Sequence, residues 1–401
     1  MTTNTEGTAT VKIPKFVREK LAIGQVSWIV DQSDFVTLVV HRDADEEPVE
    51  FALQNGYRIA ATAVDRDTNK PVKTDLHAVM SGGNWTGAHE WTLANSGILV
   101  SRVLGHSRSS VRIIQMPPGQ PAKFSRLLTV KRPAEIDRVF LRKVDLETGT
   151  REEGKLDLAV MRPVKNGKVV AHVVAGPDGN QRDPQELWHW YDETTIHPDG
   201  SFVFESLPRG DVVQLIAICE GWVSRNPTAE ELLAVLPSHQ QVFAESQTVP
   251  QVFALAKERI TLTIAMQLAA KCRITVLVPD GKPLRNAHVD MWPNHFWLSD
   301  GSTILGTGQR TTGSLRQARS GEPRPPPRRH RNVFSATTNE AGVADISNLH
   351  GKPNVAISVR HEDFEQPAEN GRRSTDVSLQ PGKTASITIR MQLKGRHLLG
   401  R

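Results

Sequence analysis

The chain has 401 residues, of which 38% are hydrophobic, 29 are glycine and 25 are proline, and its net charge is +5. The length predicts more than one domain, and the hydrophobic fraction excludes a chain that is disordered throughout. The proline and glycine content excludes a long helix or coiled coil, and two cysteines exclude a disulfide-stapled scaffold. No apolar run reaches the roughly 18 residues of a membrane span.

The first 50 residues contain two strand-like apolar runs, at 26–30 and 35–40. We interpret residues 1–50 as N-terminal strands that form the start of the array or the rear half of a preceding unit. The first 25 residues lack the apolar segment of a signal peptide. Two explanations stay open: a complete chain that closes on a short basic tail, or a fragment of a longer array, which would also explain the missing signal.

A short pattern recurs along the rest of the chain. Residues 51–59, 161–169 and 266–274 align without gaps, and residues 388–393 match residues 263–268. Self-similarity at a fixed period is typical of a repeat architecture. It predicts three units of domain size, at 51–160, 161–265 and 266–401.

Each predicted unit opens with a strand and a turn. In the third unit, alternating apolar and polar residues at 273–278 lead into the turn Pro279–Pro283. Asp280 and Gly281 supply the local hydrogen bond and the positive φ that a tight turn requires. A second strand follows each turn, and a second turn with a further strand comes later. These strands are predicted at 76–80, 187–191, 287–292, 95–100, 199–204, 339–346, 213–219 and 355–359.

Only one segment has a good helical signal. Residues 227–236 place acidic residues in the first turn and precede Pro237, so we predict a short helix inserted in the second unit. Elsewhere, many short strands separated by Gly, Pro and Asp indicate an all-β protein. The predicted fold is a tandem series of Ig-like, Greek-key β-sandwiches.

The third unit carries a family resemblance. The sequence Ile-x-Val-x-x-Pro-Asp-Gly-Lys-Pro-Leu-x-x-Ala-x-Val at 274–289, followed by Asn-Glu-x-Gly at 339–342, resembles the carboxypeptidase regulatory-like domain. The resemblance extends over about residues 50–392 and is interrupted at 295–332. It implies prealbumin-like, seven-stranded sandwiches in tandem, acting as packing or binding modules. It also implies an extracytoplasmic location, often in bacteria.

A basic insertion is the sharpest compositional feature. Residues 309–332 contain seven arginines and one acidic residue, around the prolines at 325–327. This segment therefore accounts for the whole positive balance of the chain. The arginines could contact a polyanion, for which the candidates are Arg324, Arg328, Arg329 and Arg331. The alternative is a solvated insertion, and the absence of interleaved aromatic residues argues against nucleic acid.

Tryptophan usage suggests a second candidate site, because the chain has 8 Trp but only 2 Tyr. Six of the tryptophans fall between the two turn motifs of a unit. In the third unit, alternation places His288, Asp290 and Trp292 on one strand face. Such a face could stack a sugar ring between hydrogen-bonding neighbours, although closing sandwich ends or unit interfaces is the more ordinary role of tryptophan. The candidate ligand-binding residues are Trp188, Trp190, His288, Asp290, Trp292 and Trp297.

Residues 280–292 also resemble the first strands of intradiol ring-cleaving dioxygenases, which hold ferric iron with two Tyr and two His. Tyr57 and Tyr191 lie in different predicted units, and no His-x-His pair follows the strand. No other catalytic or metal-binding motif is present. We therefore predict a protein that is not an enzyme and uses no cofactor and no metal. The predicted function is a binding or spacer module of a bacterial envelope or secreted protein, with a glycan or another protein as partner.

Overall fold

A computed structural model describes thirteen stretches of the chain: residues 25–30, 38–43, 57–82, 85–87, 91–93, 97–101, 108–131, 138–175, 191–235, 251–255, 261–292, 334–368 and 373–394. Nearly all regular structure in these stretches is β-strand, which confirms the predicted fold class. The first element is an antiparallel hairpin of β1 (Gln25–Val30) and β2 (Leu38–Asp43).

Ten strands form the first group. Its opening strand β3 pairs in parallel with its last strand β12, and β5 and β9 form an antiparallel pair on the second layer. The short β10 joins β9 to the end of β12. The bounds are β3 (Arg58–Asp65), β4 (Pro71–Val72), β5 (Leu76–Gly82), β6 (Trp85–Gly87), β7 (Trp91–Leu93), β8 (Leu99–Ser101), β9 (Arg108–Gln115), β10 (Lys123–Phe124), β11 (Leu128–Lys131) and β12 (Arg138–Thr148).

The second group forms two sheets, one in the order β16-β13-β20 and the other in the order β15-β14-β17-β18-β21, with β19 on β17. The bounds are β13 (Thr150–Leu156), β14 (Lys168–Ala175), β15 (Tyr191–Thr195), β16 (Ser201–Leu207), β17 (Val212–Cys219), β18 (Trp222–Ser224), β19 (Val252–Ala254), β20 (Thr261–Ile264) and β21 (Met266–Leu268). Helix α1 (Ala229–Val235) lies within the stretch where the sequence predicts a helix. It begins with a capping box, in which Thr228 Oγ1 accepts from the Glu231 N–H and Glu231 Oε2 accepts from the Thr228 N–H.

The third group repeats this arrangement with the orders β25-β22-β29 and β24-β23-β26-β27-β30, with β28 on β26. The bounds are β22 (Ala270–Leu277), β23 (His288–Trp292), β24 (Ser335–Thr337), β25 (Val343–Leu349), β26 (Lys352–Arg360), β27 (Phe364–Glu365), β28 (Thr375–Leu379), β29 (Thr384–Arg390) and β30 (Gln392–Leu393). In every group the opening strand pairs in parallel with a strand at or near the end of the group, as β3–β12, β13–β20 and β22–β29.

The turns have the predicted chemistry. Gly200, Gly281 and Gly342 all have positive φ, between 69° and 86°. Asp199 Oδ1 accepts from the Ser201 N–H at 2.9 Å, and Asp280 Oδ1 accepts from the Lys282 N–H at 3.2 Å. These local bonds fix the reversals that send the chain from one strand to the next.

Apolar side chains from the two sheets of a group meet face to face. In the second group, Phe202 and Phe204 of one sheet pack with Ala171 and Leu215 of the other. Gly154 lies under Phe202, and a Cβ at that glycine would come within 2.1 Å of the Phe202 ring. In the third group, Ile274 belongs to the cluster that contains the facing Val289, Met291 and Ile357. The result is a two-layer β-sandwich in each group.

The clusters also continue from one sandwich to the next. Ile114, Met116 and Phe124 of the first group belong to the core cluster of the second group. Val170, Ile216 and Ile218 of the second group belong to the core cluster of the third. Successive sandwiches therefore share apolar cores.

Candidate functional site

The two predicted candidate residues whose side chains are described lie on β23. Val289 and Met291 point into the sandwich and are fully buried, so His288 and Asp290 lie on the opposite, outer face of the sheet. In the antiparallel register His288 is opposite Arg360 of β26, and Asp290 is opposite Ser358. We call His288, Asp290 and Arg360 the Asp290 cluster.

Asp290 is the centre of this cluster. Its side chain is only 4% exposed, although it stands on the outer face. His288 Nε2 lies 3.2 Å from Asp290 Oδ1, and Arg360 Nη2 donates to Asp290 Oδ2 at 2.5 Å. A buried carboxylate requires partners of this kind, because its desolvation is compensated only by charge and hydrogen bonds.

The partners of Asp290 are accessible. The Arg360 side chain is 69% exposed and that of His288 is 42% exposed. The neighbouring β24 adds Thr337 opposite His288, and Ser335 opposite Asp290. The carboxylate therefore holds a guanidinium and an imidazole in fixed positions, from which their remaining N–H groups can donate to hydroxyl or carboxylate oxygens.

Sequence reasoning found His288 and Asp290 but missed Arg360. The strand containing Arg360 was recognisable as an apolar run at 355–359. The register of this strand against β23 could not be recognised from the sequence, because cross-strand pairing depends on turn lengths and on the intervening insertion. Only the pairing in the structure brings Arg360 to Asp290.

The other candidates lie outside what the structure describes. Trp188, Trp190 and Trp297 fall in undescribed stretches, and Trp292 is described as part of β23 but not in its side chain. The arginines of the basic insertion, Arg324, Arg328, Arg329 and Arg331, also lie outside the described residues. Both the tryptophan site and the polyanion site therefore stay predictions.

The two cysteines are buried and unpaired with each other. Burial raises the pKa of both the Cys219 and the Cys272 thiol to about 11, so neither is a ready nucleophile at neutral pH. Within the described stretches, no group of three or more His, Cys, Asp or Glu side chains is arranged to hold a metal ion. None of the described helices is long and apolar enough to cross a membrane.

Comparison with known proteins leaves the family open. No family model and no curated protein matches the chain. Among solved structures, it is similar to the Bacillus anthracis TIE protein, with 13% identity over 92% of this chain and a TM-score of 0.21. It covers 57% of that protein's chain.

Two pilins give similar values. The minor pilin GBS52 of Streptococcus agalactiae shares 10% identity over 63% of this chain and 99% of its own, with a TM-score of 0.27. The major pilin subunit BcpA of Bacillus cereus shares 11% identity over 84% and 99%, with a TM-score of 0.19. Identities and TM-scores this low identify neither a family nor a function for this chain.

Proposed function

We propose that the chain is a non-enzymatic array of three prealbumin-like sandwiches of the carboxypeptidase regulatory-like type. It would serve as a stiff spacer or binding module of a bacterial envelope or secreted protein. The strand order of the second sandwich, which the third repeats, and the parallel pairing of the opening strand in all three groups support this proposal. The predicted bounds 51–160, 161–265 and 266–401 remain a prediction. Strand pairing favours a first division near Gly149, because β13 pairs with β16 and β20.

The observation that carries the proposal is the polar fastening of the first sandwich to the second. Arg112 of β9 and Asp211, before β17, form an ion pair at 2.5 Å with both side chains almost fully buried. Ser206 Oγ donates to the carbonyl of Ala122 at 2.9 Å, also in a buried position. These contacts lie beside the shared apolar cluster, and two groups fastened in this way do not rotate freely about a linker.

The second sandwich is fastened to the third by residues at the equivalent position of the fold. Asn348 Oδ1 accepts from the Gly221 N–H at 3.0 Å, and His350 Nε2 lies 2.9 Å from the Ser224 carbonyl. Ser206 and Asn348 occupy equivalent places, because each precedes a leucine that pairs with the first residue of its sandwich's opening strand. One junction geometry is therefore used twice, as expected of a spacer that holds its ends at a set distance.

A distance measurement between the ends tests the proposal. Spin labels on Asp67→Cys and Asp376→Cys report the separation of the first and third sandwiches, both positions being exposed. The two native thiols are buried and stay unlabelled. We expect one narrow distance distribution in labelled chain diluted with unlabelled chain. Asn348→Ala with His350→Ala should broaden it, whereas Ser378→Ala, at an exposed position, should not. A broad distribution in the parent chain would contradict a stiff spacer.

A glycan-binding role is the second candidate, and the Asp290 cluster favours it. Asp290 fixes the accessible imidazole of His288, on the strand that ends at Trp292, and the accessible guanidinium of Arg360 on the neighbouring β26. Sugar sites commonly combine polar groups with an aromatic residue, and the alternation of β23 predicts Trp292 on the same face as His288 and Asp290. Titration with neutral and uronic-acid oligosaccharides should quench tryptophan fluorescence. Trp292→Ala and His288→Ala should abolish the quenching, and Thr384→Ala, on a strand of the other sheet, should leave it unchanged.

A further inference from the structure

Strand β29 is the edge of its sheet. The order β25-β22-β29 leaves one side of β29 without a paired strand among the described elements. It pairs with β22 along all of Thr384–Arg390 without a register shift. Exposed edge strands are templates for pairing with another chain unless the sequence protects them.

The direction of the free backbone groups follows from the hydrogen bonds at the two ends of β29. The Lys271 N–H donates to the Lys383 carbonyl at 2.9 Å, and the Met391 N–H donates to the Leu277 carbonyl at 2.8 Å. Because a parallel ladder alternates, residues 385, 387 and 389 bond to β22. The N–H and C=O groups of residues 384, 386, 388 and 390 therefore face away from the sheet.

The other long edges of the described sandwiches are protected, and β29 is not. The pairings that hold β16 and β25 each contain a register shift, and these strands carry Glu205 and Asp345. Strand β15 carries Asp192 and Glu193, the pairing of β28 contains a register shift, and β20 has only four residues. Residues 384–389 contain no charge and no proline. Charges, bulges and short length are the usual protections of an edge.

The side chains of β29 suit pairing with a second copy. In an antiparallel pair centred on Ile387, Ser386 is opposite Thr388, Ala385 is opposite Ile389 and Thr384 is opposite Arg390. No like charges face each other, and the outward backbone groups of Ser386 and Thr388 meet as a hydrogen-bonded pair. A patch that complements itself about a two-fold axis is what a symmetric dimer needs.

We propose that the chain forms a symmetric dimer by antiparallel pairing of β29 with β29 of a second copy. The two three-stranded sheets then become one continuous sheet. Ser386 and Thr388 keep exposed side chains on the solvent face, while Ala385 and Ile387 stay packed on their own core. The partner is a second copy of this chain, because its register matches without any rearrangement of β29.

Sedimentation of the full chain from low to high micromolar concentration tests this pairing. We expect a monomer–dimer equilibrium. Ser386→Pro removes an outward N–H without removing a bond to β22, and we expect it to raise the dimer dissociation constant about tenfold or more. Ser386→Ala keeps that N–H and should dimerise like the parent. Thr388→Lys, which places a charge on the edge, is a second disrupting variant should the proline change also unfold the chain.

Disulfide trapping checks the register. Ser386→Cys together with Thr388→Cys places thiols opposite each other across the pair, at a Cα separation of about 5.5 Å. Mild oxidation should then give a covalent dimer, and Ser386→Cys alone should not. A chain that stays monomeric, a dimer that survives both disrupting variants, or a double variant that cross-links no faster than the single one would each overturn the proposal. Capture of another protein's strand by a monomeric chain would overturn it as well.

Discussion

The outer sheet faces of the second and third sandwiches share the same strand pairing, but one face is apolar and the other is polar. Asn166 and Asn286 both have positive φ two residues before the second strand, which aligns Lys168 with His288. In the second sandwich, Val170 is opposite Ile216, and both are fully buried. At the matching place in the third, Asp290 is opposite Ser358.

The surroundings of the two faces explain the difference. Val170 and Ile216 lie in the apolar cluster that continues into the third sandwich, and Val235 of helix α1 packs against that cluster. The matching Asp290 is satisfied within its own sheet by His288 and Arg360. The same scaffold therefore serves as a packing surface where the face is apolar and as an accessible polar surface where it is not.

The first sandwich meets its neighbour in a third way, through a buried ion pair. Breaking this pair should lower the free energy of unfolding more than any other change considered below. Arg112 is buried on the face that meets the second sandwich, where Asp211 supplies the opposite charge. Asp211→Ala leaves a buried guanidinium without this partner, so we expect a loss of about 4 kcal/mol in the free energy of unfolding. Arg112→Met combined with Asp211→Ala should recover much of it. Denaturant unfolding measures both, and equal losses in the two variants would mean that the charge pair is not what matters.

A reciprocal exchange between the two faces should give the next largest effect. Ile216→Ser opens a cavity and buries a hydroxyl, and we expect a loss of about 3 kcal/mol. Ser358→Ile, on the partly exposed face, should change stability by less than about 1 kcal/mol. Thermal or denaturant unfolding compares them. Similar losses at both positions would show that the two faces are not distinguished by burial.

Acid should loosen the junction between the second and third sandwiches. Burial lowers the pKa of His350 from its usual 6.5 to about 4, with no charged group among the causes. The unfolded chain therefore binds the proton more readily, and stability is fully present above about pH 6.5 and falls as the pH drops toward 4. We expect a loss of about 2 kcal/mol between pH 7 and pH 5. His350→Gln should flatten this slope, whereas His197→Gln, at an exposed position, should leave it unchanged.

Removing the charge at the centre of the polar face should have the smallest effect. Asp290→Asn weakens its contacts to Arg360 and His288, but both partners already reach solvent. We expect a loss of about 1 kcal/mol, because water screens the exposed partners and the amide, unlike the carboxylate, has no charge to desolvate. Denaturant unfolding measures it. A loss as large as that of Asp211→Ala would mean that the exposed Arg360 depends on its carboxylate partner as much as the buried Arg112 does.

Local sequence features predicted much of the strand pattern. The apolar run at 213–219 is the core of β17, and alternation at 287–292 matches β23 with Val289 and Met291 inside. Gly281 adopts the predicted positive φ, and Gly200 in the second Asp-Gly turn does the same, because such a turn is decided within a few residues. The gap-free alignment of the sequence repeats predicted the equivalent positions of the sandwiches less well. Met161 lies in the connection between β13 and β14, whereas its sequence counterpart Met266 starts β21.

The sequence by itself determined the all-β class, the turns and the position of helix α1, because these depend on residue alternation and short-range hydrogen bonds. Only the tertiary structure decided which strands pair, and hence that Arg360 reaches Asp290 and that Arg112 meets Asp211. These partners are 70 and 99 residues apart in the sequence. Contacts at such separations depend on register and on packing between sandwiches, which no local pattern encodes.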